Sequence, residues 1–208
     1  MRRGSRVRLA DVVRVLPRRA HQLSRSAVKE SQRWRMLEAV TEAVGKRGYG
    51  EASVADVIGL AGVSRKTFYE HFRDKEDCFL TAFEALSERF ARALVAAGAE
   101  HPAGAPRRRA MMARYVEGLA RDPLSARVFT VDVLGAGERA LDARERVNAS
   151  FGIAIFGRAV PAARRTAIVG GVNALSIAAL RDGDPAKLPQ LLGPICAFIE
   201  AALLEAGS

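Results

Sequence analysis

Cysteine, histidine and aromatic residues are all scarce in this 208-residue chain. Each shortage closes off a class of function. The two cysteines, Cys78 and Cys196, match no metal-ligand spacing and are expected to be buried and reduced. His21, His71 and His101 are scattered. No Ser/His/Asp constellation sits in a supporting motif, and no Gly-rich phosphate loop is present; Gly170-Gly171 lacks the spacing of a nucleotide fingerprint. No metal, no cofactor and no enzymatic activity are expected. Aromatics make up 6% of the chain, so any apolar pocket must lean on aliphatic and Met side chains. There is no run of about 18 apolar residues of the kind a transmembrane helix needs, so no membrane partner is expected. The basic start lacks an apolar core followed by a cleavage site, which makes cytoplasm the expected compartment.

What the chain has is positive charge, and it is unevenly placed. The net charge is +10. Residues 1–30 carry nine Lys/Arg against two acidic residues, net +7; residues 31–75 carry eight against six, and residues 76–208 sixteen against fifteen. A basic arm, with Arg18, Arg19 and Arg25 as its candidate contacts, neutralises phosphates without reading sequence. Its alternative is a merely soluble tail.

The segment from Gly62 to Glu76 carries the most information, and the stretch just upstream of it sets it up. Ser53-Val54-Ala55-Asp56 has the form of a capping box, opening a helix with Val54, Val57, Ile58 and Ala61 inward. Gly62 permits a sharp turn, and Ser64 caps a second short helix whose Phe68 and Phe72 point inward. Two short helices joined by a tight Gly-containing turn describe a helix-turn-helix, whose second helix enters a DNA major groove. Arg65, Lys66, Tyr69 and Thr67 then project toward DNA, where Arg or Lys pairs with guanine and hydroxyls reach phosphates or base edges. Ser53 offers a backbone N–H at a helix start. Caps alone also account for Ser53 and Ser64.

Gly48-Tyr49, Val54-Ala55-Asp56-Val57, Ala61-Gly62-Val63-Ser64, Thr67-Phe68-Tyr69, His71-Phe72 and Lys75-Glu76 together resemble the amino-terminal domain of the tetracycline-repressor (TetR) family over residues 31 to 90. The resemblance implies an all-α, homodimeric, ligand-responsive regulator of transcription that binds a pseudo-palindromic operator in double-stranded DNA. It also implies that Lys66, Thr67, Tyr69 and His71 lie at the DNA and that Lys75 meets a phosphate. Arg65-Lys66 departs from the small residue that many relatives carry before the Thr, which leaves base preference open. The expected organisation is a basic arm over 1–30, a three-helix DNA-binding domain over 31–76, and a helical regulatory and dimerisation domain over 77–208.

Apolar spacing predicts a first helix over about 31–47 and a long helix from Asp74 to about Ala97. Further helices are predicted over 107–121, 122–134, 138–158 and 161–180, and a last one begins at Pro194. The 138–158 helix has an expected stripe of Leu141, Arg144, Val147, Phe151 and Ile155. Met111, Met112, Tyr115, Phe129 and Phe151 are candidate linings of a pocket for a small apolar ligand, although ordinary core explains each of them as well. Gly170, Gly171, Ala174, Leu175 and Ala178, with Ile195, Phe198, Ile199 and Ala202, form the expected dimer interface of the last two helices; completing a monomer core is the alternative. A non-specific architectural DNA-binding protein, governed by the arm and without ligand control, is the competing function.

Overall fold

A computed structural model of the chain describes residues 25–181 and 183–204. The predicted contacts Arg18 and Arg19 lie outside the described residues. Among these, every regular element is helical: α1 (Arg25–Arg47), α2 (Val54–Ala61), α3 (Arg65–His71), α4 (Lys75–Ala99), α5 (Ala105–Arg121), α6 (Pro123–Thr130), α7 (Glu138–Phe156), α8 (Ala162–Arg181) and α9 (Leu192–Leu204). The chain is all-α. It divides into two compact units, one up to Ala82 and one from Phe83 onward, and α4 runs through the division.

In the first unit, α1 starts at Arg25, earlier than its apolar stripe suggests. Neither proline nor glycine interrupts it before Gly45, so polar residues extend the helix past its buried face. Met36, Leu37, Val40 and Val44 are almost wholly buried and pack mainly on α2, which buries Val57 and Ala61. Phe79 from α4 and Phe68 and Phe72 at α3 complete this core, with the Tyr49 ring 5.0 Å from that of Phe79. Cys78 is buried, its thiol directed at the Met36 carbonyl 3.8 Å away. Burial, chiefly, pushes that thiol up to about 12.

The second unit is built around one larger apolar cluster. Leu94, Met111, Met112, Tyr115, Leu119, Ile168, Ile195 and Ile199 belong to one buried cluster, against which Phe90 and Phe151 pack. Small residues set the spacing: a Cβ on Gly118 would stand 2.5 Å from the Phe90 ring, and one on Gly171 2.4 Å from that of Phe198. Asp122 caps α6, accepting from Ser125 N at 3.1 Å, with Pro123 in the first turn.

Several predicted boundaries and faces differ. The helix expected to reach Leu134 stops at Thr130 and tightens into a 3₁₀ turn over Asp132–Gly135. The buried residues of α7 are Ala140, Ala143 and Gly152, whereas Leu141 is exposed. Close packing explains the shift: α7 lies on α8, and at Gly152 an added Cβ would stand 3.1 Å from the Arg165 side chain. The last helix begins two residues before Pro194, which a first-turn position tolerates because its N–H would have no partner. Cys196 is only half-buried.

The stretch Lys187–Leu204 has mean hydropathy 1.3 over 18 residues, yet only 17% of it is buried. By length and composition it passes as a membrane span, contrary to the sequence expectation. Its helical geometry is not continuous, however: a 3₁₀ segment ends at Leu191 and α9 itself has 13 residues, fewer than the roughly 20 a span requires.

Candidate nucleic-acid interface

Adjacent residues position α2 and α3. Ser53 Oγ accepts from Asp56 N at 3.2 Å, and Asp56 Oδ2 accepts from Ser53 N at 2.9 Å, so the predicted capping box is reciprocal. The hydrogen bonds from the Ser53 side chain and backbone hold the Asp56 carboxyl below its ordinary range, with Arg47 adding a smaller effect. Gly62 ends α2 in the left-handed region at φ +60, a conformation open to glycine without steric cost, and its N–H donates to Ile58 O. Two residues later Ser64 Oγ accepts from Thr67 N at 3.0 Å and lies 2.9 Å from Thr67 Oγ1.

Helix α3 divides cleanly into two faces. Phe68 is fully buried and Phe72 nearly so, their rings 5.7 Å apart. The Arg33 guanidinium lies 5.0 Å from the Phe72 ring centre. On the outer face Arg65, Lys66 and Tyr69 are exposed, with Tyr69 50% accessible and its ring edge-on to Phe68. Among the described residues, no carboxylate forms an ion pair with Arg65 or Lys66. The structure therefore brings together two free cations and a phenol on one helical surface.

The other predicted contacts are placed differently. Ser53, Ser64 and Thr67 spend hydroxyl capacity on caps, although Ser53 and Ser64 remain exposed. His71 is half-buried; burial first, then Lys29 and Arg33, lower its pKa, which favours the neutral imidazole. Lys75 does not extend outward. Its ammonium donates to Tyr49 O at 2.6 Å and Ala52 O at 2.8 Å and sits 4.4 Å from the Tyr49 ring centre. Arg25 is exposed at the start of α1. One residue that spacing did not single out is Arg35, whose Nη1 donates to Ala61 O at 3.0 Å. Its partner is a backbone carbonyl 26 residues away, and no side-chain pattern encodes such a bond.

In the second unit, the predicted pocket residues are spread over core and ring contacts. Met111, Met112 and Tyr115 are buried core, and the Tyr115 hydroxyl is 2.9 Å from Ser176 Oγ, which donates to Val172 O. Burial raises the Tyr115 pKa, with Ser176 opposing. The Phe129 ring packs on Phe83 and that of Phe151 on Phe90. Met112 lines a cleft of about 570 Å³ between α5 and α9, where Arg109, Cys196 and Ile199 also lie. Arg108 spans part of it in a paired contact with Glu200, at 2.8 and 2.6 Å.

The predicted interface residues separate into two sets. Ile195 and Ile199 are 0% and 1% exposed and belong to the core of their own unit, because that side of α9 faces α5 and α8. Leu175 and Ala202 are half-buried against the same cluster. Gly170, Ala174, Ala178 and Phe198 are exposed, and Gly171 lies beneath the Phe198 ring.

Residues 36–82 match the family model of bacterial regulatory proteins, tetR family. This domain is of the TetR type. The TetR-type DNA-binding helix-turn-helix is thus α2 and α3 in the geometry above. Over the whole chain the fold is similar to that of the fatty acid degradation regulator FadR from Bacillus halodurans, with a TM-score of 0.71 and 17% identity, covering 85% of this chain and 96% of that one. It is also similar to FadR from Bacillus subtilis in complex with stearoyl-CoA (0.66, 16%, covering 79% and 95%). A TetR-family regulator from Streptomyces coelicolor gives 0.60 and 18%, covering 90% and 98%. No curated protein shows significant sequence similarity.

Proposed function

We propose that this TetR-family regulator is a homodimeric repressor that binds a pseudo-palindromic operator and leaves it when a small apolar ligand binds the second unit. The observation that carries the reading is the outer face of α3: Arg65, Lys66 and Tyr69 stand exposed on a helix anchored by Phe68. Such a face offers guanidinium, ammonium and hydroxyl donors to base edges and phosphates while the helix itself stays fixed. Ser53 and Ser64 add exposed helix starts; neutral His71 offers a hydrogen bond rather than a counter-charge.

Dimerisation is supported by the outward sides of α8 and α9. Ala163, Ala167, Gly170, Ala174 and Ala178 are exposed at intervals of three or four residues, forming a stripe that permits close helix approach. Phe198 and the sparse burial of Lys187–Leu204 leave apolar surface that a second copy would cover. A two-fold contact through this surface presents two α3 helices to DNA. For the ligand, the stearoyl-CoA bound to the Bacillus subtilis relative makes long-chain acyl thioesters, apolar in the acyl chain but large and anionic in the CoA part, a class to test beside small apolar molecules.

Footprinting the purified protein on DNA around its own gene tests the reading. A dimer protects two half-sites spaced by whole helical turns, about 10 base pairs or a multiple. Protection of one asymmetric half-site would overturn the dimeric reading. The basic charge of residues 1–30 favours one competing function, a non-specific architectural binder, and that protein would show no preferred site. Stearoyl-CoA is expected to weaken the footprint; an unchanged footprint would remove acyl thioesters from consideration.

A further inference from the structure

We propose that Arg35 and Lys75 are positioning residues for DNA recognition, two cations that grip α2 at its opposite ends and thereby set the place of α3. The inference rests on the DNA-binding reading above, and it assigns to Lys75 a role other than phosphate contact.

Helix α2 has only eight residues, too few to be stable alone, and it fully buries just Val57 and Ala61. Its position must come from what holds its ends. At the carboxyl end the last carbonyls of a helix have no intrahelical partner and carry partial negative charge. Gly62 N takes Ile58 O, and the Arg35 guanidinium from α1 takes Ala61 O at 3.0 Å. At the amino end, Ala52 immediately precedes the cap Ser53, and the Lys75 ammonium from the first residue of α4 binds Ala52 O at 2.8 Å. The same ammonium binds Tyr49 O at 2.6 Å, has Gly50 O at 3.5 Å and lies over the Tyr49 ring.

Two flanking helices are thus tied to α2 through charge-assisted bonds to main-chain oxygen, which are stronger than neutral ones. The recognition helix follows α2 through the short turn Gly62, Val63 and Ser64, with Phe68 seated in the core that α2 shares. Releasing either cation therefore shifts Arg65, Lys66 and Tyr69 together without altering any of them. An ammonium with two carbonyls at bonding distance, a third at its limit and a ring against it has no donor left for phosphate.

The test compares the full-length chain with Lys75→Met, Lys75→Arg, Arg35→Met and Arg35→Lys. Each is measured on the duplex that the wild type selects from a random-sequence DNA library and on an unselected duplex, across a salt series. Amide hydrogen exchange is followed in parallel without DNA. Both Met variants are expected to lose about tenfold in affinity for the selected duplex, the scale of one hydrogen bond to a charged group. Their affinity for unselected DNA and their slope of log K against log salt should match the wild type. The Arg and Lys variants should recover part of the loss. Exchange should quicken in α2 and α3 while protection in the second unit is kept. If Lys75→Met weakens both duplexes equally and the slope shallows by about 0.9, Lys75 is a phosphate contact and the proposal falls for it. Unchanged exchange in α2 and α3 overturns the clamp whatever the DNA result. A wild type that selects no sequence yet shows the exchange pattern would sink the recognition reading and leave the clamp standing.

Discussion

The unit up to Ala82 and the unit from Phe83 onward stay folded by different means. In the first, α2 and α3 span eight and seven residues, and their ends are held by Ser53, Ser64, Asp56, Arg35 and Lys75. In the second, α5 and α8 span 17 and 20 residues and are held by side-chain packing around Met112, Ile168 and Ile195. Caps act within one turn and leave the outer face free for other work. Packing between long helices uses both sides of each helix, and when one side finds no partner it stays exposed and apolar, as on α8 and α9.

The largest expected effect comes from removing the anchor of α3. Phe68→Ala should cost about 4 kcal/mol, since a buried ring leaves a cavity as well as losing its transfer energy. DNA binding should disappear while the oligomeric state, read by sedimentation, stays the same. Loss of both together would mean that the two units do not behave separately. Next in size is Ala174→Glu. A carboxylate placed on the exposed stripe of α8 would face its own copy across a two-fold axis, at roughly 3 kcal/mol for an uncompensated buried charge. The protein should become monomeric with the melting of the first unit unchanged; a dimer that survives would move the interface away from this stripe.

Ser64→Ala asks how much of the first unit depends on caps. It should lower stability by about 1 kcal/mol in denaturant titration. An effect near zero would hand the positioning of α3 to Phe68 alone. The smallest effect is a dependence on pH. His71 has its pKa lowered on folding, so between that value and the unfolded 6.5 the unfolded chain binds more protons. The stability of the first unit should be full above pH 6.5 and fall as the pH drops through this window. His71→Gln should flatten the acid-side decline, and a slope identical to wild type would place its origin elsewhere.

The two units were also unequally legible. Ser53-x-x-Asp56, Gly62 and Ser64 announce α2 and α3 because a cap and its target are neighbours in the chain. The face of α3 follows as directly, from the four-residue spacing of Phe68 and Phe72. In the second unit the existence of each helix was readable, yet its orientation was not. Leu141 looked inward by periodicity and lies outward, because Ala140, Ala143 and Gly152 allow closer packing. For α8 and α9, which are apolar nearly all round, periodicity has little contrast to report. Ile195 and Ile199 were assigned to an interface and instead fill the core.

By itself, then, the sequence determined the all-α class, the capped helix-turn-helix and the basic residues on its outer surface, since those depend on interactions a few residues apart. Only the tertiary structure decided which face of each long helix is buried, that Lys75 turns inward to Tyr49 and Ala52, and that Arg35 reaches Ala61. Those contacts join a side chain to a main-chain oxygen more than 20 residues away. A carbonyl carries no residue identity, so the pairing leaves no trace until the backbone is folded.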